Sequence, residues 1–435
     1  MTENTMHIFS FEANNPLPHH VMGAWRHRNN RTADPTGPQY WRELAQIAEQ
    51  GKLDGIFLAD GFAAYEQYEG SIDPTIKHGI QFPKHDPVHT IPIMSEATEN
   101  LGLAVTMSTT FYQPYNLARK FATLDHLTEG RIGWNIVTSF HDKEAENLGL
   151  DEMVEHDERY EIADEYMEVV NKLWTSWDDD AVTQDYESGQ FADPNKVNKI
   201  NHKGKYFDVP GILPVTPSPQ GRPVFLQAGQ SDRGREFAAK HAEALFTINR
   251  SVEATREFVD DINERAKSYG RKSSDIKKLG GILPIIGETE KEAKEIEKQV
   301  KELVSYEAGL TAISGQADHD FSGHDPDMHI KDIEVGGVRG ALDVVAEETD
   351  SLREAATKFG FGVFIPRLVG TPEQIADKLE LYVDEGGLDG FLFAQVFRPG
   401  TTFDFVEKVI PILQERSRFR TEYDGNTLRA HLDLD

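Results

Sequence analysis

A chain of 435 residues with 38% hydrophobic and 27% charged residues has the composition of a soluble globular protein, long enough for one α/β barrel with insertions, which excludes disordered and fibrous architectures. Its formal net charge of −29 opposes polyanionic partners and excludes DNA, RNA and anionic membranes; an anionic cofactor would have to be held by backbone N–H groups and a few local donors. The absence of cysteine removes disulfides, thiolate metal sites and a thiol nucleophile, and the short polar stretch Met1 to Ser10 carries no secretory signal, so a cytoplasmic protein that needs no membrane is expected.

The recurring pattern is an amphipathic stretch closed by Gly or Asn, then a short apolar run ending in polar residues. Ile8 to Phe11 is the first predicted strand. Trp41, Leu44, Ala45 and Ala48 stand at helical spacing, Gly51 stops the helix, and the run Gly55 to Ala59 follows, ending at Asp60. A helix closing near Asn100 leads to a strand over Leu101 to Met107, and one closing at Gly130 leads to Ile132 to Val137. Val224 to Gln227, Ala244 to Ile248, Ile282 to Ile286 and Gly390 to Phe393 complete eight strands. Alternating βα units imply a parallel sheet, and eight of them favour closure: the fold class is α/β, a (β/α)8 TIM barrel.

A minimal barrel takes about 250 residues, so the chain reads as a single domain over 1–435 with insertions at about 178–222, between strands four and five, and 305–370, between strands seven and eight. Long structured loops at the active face often act as lids. Gly51, Leu53, Asp54, Gly55 and Ala59 also recur at the same spacing as Gly386, Leu388, Asp389, Gly390 and Ala394. Barrel repetition and the ordinary demand of a tight turn for Gly and Asp account for this equally well.

In such a barrel the reactive groups sit where strands end. Those ends carry Asp60, the Met, Ser and Thr run from Thr106 to Thr110, Asn135 to Ser139, and Ala228-Gly229-Gln230-Ser231. Gly229 permits close backbone approach, and Ser231 and Asp232 suit a helix start, so this turn is a candidate phosphate cradle, although a plain N-cap uses the same residues. His156, Tyr160 and Asp164 stand four apart on one helix face, where core packing explains them as well as function does. Of the 16 histidines, His319, His324 and His329 are spaced by five in a Gly- and Pro-containing stretch, which is loop spacing and not a metal site; His19-His20 and His85 with His89 are unspecific, although the latter two would meet on a helix. No G-x-S-x-G elbow, Walker loop or G-x-G-x-x-G fingerprint is present, so electrons for a redox reaction would not come through a Rossmann-bound nicotinamide on this chain.

The segments GIFLADG (55–61), TMSTTFYQPYNLAR (106–119), LDHLTEGRIGWNIVTS (124–139), HDERYEIADEY (156–166) and LQAGQSDRGREFAAKHAEALF (226–246) resemble, in order, the luciferase-like monooxygenases, in particular the nitrilotriacetate and dibenzothiophene-sulfone monooxygenase branch, over about residues 6 to 415. The resemblance implies FMN, used as FMNH2, at the C-terminal face of the barrel. It also implies a separate NAD(P)H-dependent flavin reductase and oxidation of a small-molecule substrate by O2, with cleavage of a C–S or C–N bond. Carried over by motif, Asp60, Thr106, Asn135 and Ser139 line the isoalloxazine, while Tyr160, Ser231, Ala228 and the Gly229 backbone, joined by His156, hold the ribityl phosphate. That phosphate site follows strand five, not strands seven and eight as in the generic barrel. His20, Tyr65 and Gln81 face the substrate in this reading, with His20 as proton donor or substrate contact.

Two other readings keep the barrel: a deazaflavin-dependent dehydrogenase, and a flavin-binding protein without turnover. A homodimer or higher homo-oligomer is the expectation for a soluble oligomer. The substrate is not legible, because specificity would come from the insertions.

Overall fold

The computed structural model describes residues 5–31, 34–249, 251–330, 333 and 349–434. Eight parallel strands follow one another around a closed barrel: β1 (His7–Ala13), β2 (Gly55–Ala59), β3 (Gly102–Ser108), β4 (Ile132–Val137), β5 (Val224–Gln227), β6 (Ala244–Thr247), β7 (Lys277–Ile286) and β8 (Gly390–Phe393). Each pairs with its chain neighbours, and the β8–β1 and β6–β7 ladders complete the ring.

Side-chain alternation sorts the strands. Phe9 and Phe11 of β1, Phe57 of β2, Ala104 of β3 and Leu226 of β5 fill the barrel interior, whereas Ile8, Ile56, Leu58, Leu103 and Val105 point outward into the helix layer. There they meet the buried stripe Tyr40, Trp41, Leu44, Ala45 and Ala48 of α1 (Pro38–Gln50), which Gly51 caps as its sequence predicts. Each such large apolar side chain stabilises the fold by about 1.5–3 kcal/mol on burial.

β7 begins at Lys277, five residues before the apolar run that marks it in the sequence. Its early half reads as polar and Gly-rich, yet Lys278 is 2% exposed with its ammonium 2.9 Å from Asp389, and Gly281 leaves room for the Phe246 ring, which a Cβ there would meet at 2.8 Å. A four-residue strand not foreseen in the sequence, Arg367–Gly370, pairs with the last residues of β7.

The recurring Gly/Asp turns do one job twice. Asp54 accepts from the backbone N–H of Ile8 at 2.6 Å, and Asp389 accepts from that of Lys278 at 2.8 Å, so each carboxylate ties its turn to the start of the neighbouring strand. Burial alone would raise the Asp54 carboxyl, but the Arg420 guanidinium, 2.6 Å away, and His7 outweigh it and hold it below the usual range. The C-terminal segment closes this end of the barrel: Leu428 and Leu432 enter the inner core beneath the N-terminal rim, and Leu428 N–H donates to Gly130 O. Only the opposite rim is left for chemistry.

Two further helices of the layer matter for the site, α2 (Pro114–Leu127) and α3 (His156–Trp174), the latter leading from β4 towards the long connection to β5. Residues 178–222 form two short hairpins along the outside of these helices, with Tyr115 donating to Ile212 O, Lys205 to Phe207 donating backbone N–H groups to Glu165, and Gln220 reaching Asp125 and Ile132 at the N-terminal rim. Within 305–370, after α4 (Asp232–His241), the helices α5 (Tyr306–Ala317) and α6 (Leu352–Gly360) pack together with Met22, Tyr65 and Ile80 as a separate core cluster beside the rim, while residues 331–332 and 334–348 lie outside the described residues. Among the described residues no helix is long and apolar enough to cross a membrane.

Candidate active site

Parallel pairing puts the C-terminal ends of all eight strands on one rim, and the named residues gather there. Asp60 follows β2, Thr106 lies in β3 and Asn135 in β4, Ser139 follows β4, and Gly229 and Ser231 follow β5. Asp60 and Ser231 therefore share a rim.

At one end, Thr106 and Asn135 stand side by side in register. The Thr106 hydroxyl donates to Leu58 O at 2.8 Å, so its oxygen can only accept from the Asn135 amide, also at 2.8 Å. This orients the amide and leaves Asn135 Oδ1 buried with no donor. An orphan acceptor in a barrel mouth is costly and suits an N–H of a ligand. Beside it the interior is aromatic: Phe11 stacks on Phe57 at 5.4 Å, and Phe246 lies 6.5 Å from Phe57. Ser139, at a left-handed φ of 53°, bonds Ser108 Oγ at 3.0 Å and turns the chain from β4 toward α3.

At the other end, Ser231 caps α4 by accepting from Gly234 N–H at 3.0 Å. The Tyr160 hydroxyl bonds Ser231 and Thr138, and the half-buried His156 places Nε2 3.5 Å from Ser231 Oγ. Burial raises the Tyr160 phenol, partly offset by these bonds, so it remains a neutral donor. A Cβ on Gly234 would meet Tyr160 OH at 2.9 Å, Ser231 Oγ at 3.0 Å and Gly229 Cα at 3.1 Å, so the close approach of these groups at the start of α4 depends on glycine. Half-buried Ala228 leads into this turn, and Gln227 accepts from Gly229 N–H at 2.7 Å to hold it. Asp164, one turn beyond Tyr160, ties α3 to α4 through Arg233, Lys240 and His241, and these bonds outweigh burial to hold its carboxyl low. Hydroxyls and a helix N-terminus brought together in this way have the chemistry that suits an anion.

After β2, on the side of Thr106 and Asn135 away from β5, lies a charged loop whose Lys84 and Glu144 the motifs did not reveal. Burial pushes the Asp60 carboxyl up to about 7, eased by the Gly61 N–H and Lys84 and reinforced by Asp86 and Glu144. Glu144 accepts from Phe62 N–H at 2.7 Å, and Lys84 donates to Ala63 O at 3.3 Å, so the two clamp the turn after Asp60. These partners come from distant segments and share no motif.

His20 is buried with its ring 4.3 Å from Phe11, and burial lowers its imidazole to about 3. Burial thus favours the neutral ring over the imidazolium at neutral pH. Tyr65 donates to Gln81 at 3.0 Å and accepts from Gln316 of α5 at 2.6 Å, and Gln81 donates to His19 O at 3.0 Å, which joins these residues to the loop carrying His20. His319 and His324 meet, with Nε2 atoms 3.2 Å apart, in the loop after α5, whereas exposed His89 pairs with Asp86 and not with His85. Among the described residues no group of three or more His, Asp or Glu is placed to hold a metal ion.

Residues 18–389 match the luciferase-like monooxygenase family. The chain is 43% identical to a long-chain alkane monooxygenase of Geobacillus thermodenitrificans (strain NG80-2), covering 98% of this chain and 94% of the relative. It is 40% identical to a dibenzothiophene-sulfone monooxygenase of Rhodococcus erythropolis (strain XP), covering 99% and 97%, which represents the branch its motifs resemble. A solved structure of a long-chain alkane monooxygenase superposes with a TM-score of 0.92 at 43% identity, covering 100% of this chain and 96% of that one. With the barrel and its rim in place, these likenesses show that the chain belongs to the luciferase-like monooxygenases, flavin-dependent oxidoreductases.

Proposed function

We propose that this protein is the oxygenase component of a two-component system, which takes FMNH2 from a separate NAD(P)H-dependent reductase and uses O2 to oxidise a small organic substrate with cleavage of a C–S or C–N bond. The observation that carries the reading is the pairing, on one rim, of a glycine-lined anion cradle at Gly229, Ser231 and Gly234 with the orphan acceptor Asn135 Oδ1. FMNH2, when bound, supplies the reducing electrons and the reaction with oxygen.

The chain's own residues position and shield. In this reading Ser231, Tyr160 and His156 hold the phosphate with the α4 N-terminus, and the Ala228 and Gly229 backbone forms the floor of that turn. Asn135, oriented by Thr106, accepts from the ring system, and Asp60 and Ser139 border it. Asp60, with its carboxyl raised to about 7, holds or releases a proton near neutral pH, a role the uncharged His20 imidazole does not share. α5, through Gln316 and Tyr65, keeps water from this side of the rim.

The test is direct titration of the protein with FMN, riboflavin and a deazaflavin, followed by oxygen-uptake assays with and without a flavin reductase. FMN binding tighter than riboflavin, and substrate-dependent product formation only with the reductase present, is the expected result. Preference for the deazaflavin, or turnover with NADH alone, overturns the proposal.

A further inference from the structure

Beside the residues proposed to hold the flavin, the rim has a consistent chemical character. The interior floor is aromatic, with Phe11, Phe57 and Phe246 in ring contact. On the wall His20 lies edge-on to Phe11, and Tyr65 lies 5.5 Å from His141, also edge-on. Two histidines in a binding wall would ordinarily offer positive charge to an anionic substrate. Here burial lowers both His20 and His141 to about 3, and His19 well below its usual value, so these three rings add no positive charge to the wall.

The formal charges nearby point the same way. Among the described residues of this wall Lys84 already faces Glu144 and Asp60 while donating to Ala63 O, and the buried Arg398, which also acts on His19, is paired with Glu12 and donates to the Ala13 and Leu17 carbonyls. Glu144 is 4% exposed and engaged with Phe62 N–H. An incoming carboxylate or sulfonate would leave water to meet two carboxyl groups and, among the described residues, cations that are already balanced. A neutral ring or alkyl chain loses nothing comparable and gains the aromatic contacts.

We propose, resting on the flavin-oxygenase reading above, that the substrate is an uncharged organic molecule with an aromatic or alkyl body, and not a carboxylate or sulfonate anion. The test is equilibrium binding to the FMN-loaded full-length protein. The probes are dibenzothiophene sulfone, its ring-sulfonated derivative, a di-n-alkyl sulfide and nitrilotriacetate, each at low and high salt. Saturable binding of a neutral probe, at least about tenfold tighter than its anionic counterpart and insensitive to salt, is the expected result. Tighter, salt-weakened binding of an anion overturns the proposal, as does the absence of saturable binding by every neutral probe.

Reductase-coupled oxygen uptake separates this from the function itself. Neutral probes that bind without any flavin-dependent uptake leave the substrate class standing and remove the oxygenase reading. Turnover confined to anions does the reverse.

Discussion

Gly234→Ala tests the anion cradle with a single methyl. The added carbon would lie 2.9 Å from Tyr160 OH, 3.0 Å from Ser231 Oγ and 3.1 Å from Gly229 Cα, closer than ordinary van der Waals contact at all three, so it pushes the Tyr160 and Ser231 hydroxyls from the positions proposed to hold the phosphate. Charge-assisted hydrogen bonds contribute about 1.5–3 kcal/mol each, and displacing one weakens FMN binding by about ten- to a hundredfold. The fold itself tolerates the change. Gly234 lies in the first turn of α4, where alanine favours the helix by about 0.5–1 kcal/mol, which offsets the shift forced on Tyr160, so the apoprotein Tm moves by no more than about 4 °C. Fluorescence titration with FMN and riboflavin isolates the effect, since riboflavin has no phosphate to lose. An unchanged FMN dissociation constant, or an equal loss for riboflavin, refutes the reasoning.

Three other outcomes follow from named contacts. Asn135→Leu removes the orphan acceptor, so FMN affinity is expected to drop by about tenfold while the urea midpoint of the apoprotein stays nearly constant, because a buried unsatisfied oxygen disappears with the amide. The Asp60 carboxyl titrates at about 7 when folded and near its ordinary 3.8 when unfolded, so the folded state holds an extra proton between about pH 4 and about pH 7 and stability declines as pH rises through that window; Asp60→Asn should flatten this decline in urea unfolding at the two ends of the window, and an unaltered slope would contradict the assignment. Arg398 is buried against Glu12 at 2.6 Å and holds the Ala13, Asn15 and Leu17 carbonyls that shape the loop before His20. Arg398→Met leaves Glu12 buried without a cation and is expected to cost about 3–5 kcal/mol, partly recovered by adding Glu12→Gln, as read from urea unfolding.

The strand positions were legible because a barrel strand is a short apolar run bounded by turn residues, and β2, β4, β5 and β8 fall where those runs fall. β7 escaped in part because Lys277, Lys278, Gly280 and Gly281 carry no hydrophobic signal; their burial depends on Asp389 and Phe246, which come from other strands. The strand Arg367–Gly370 was missed for the same reason, since its partner is the upper half of β7.

The rim residues divide along the same line. Asp60, Thr106, Asn135 and Ser231 could be named from local sequence because each lies within or just after a recognisable run, and in a parallel barrel the end of every run faces one way. The chain order of apolar runs and turn signals by itself determined the barrel and the rim on which chemistry would gather, since period and turn geometry act over a few residues. Only the tertiary structure decided the charge and shape of that rim: the raised Asp60 carboxyl, the lowered His20 imidazole, the Lys84–Glu144 clamp and the approach of Tyr160 to Gly234 each arise from burial or contact between segments far apart in sequence, and desolvation is a property of the assembled surface that no local pattern encodes.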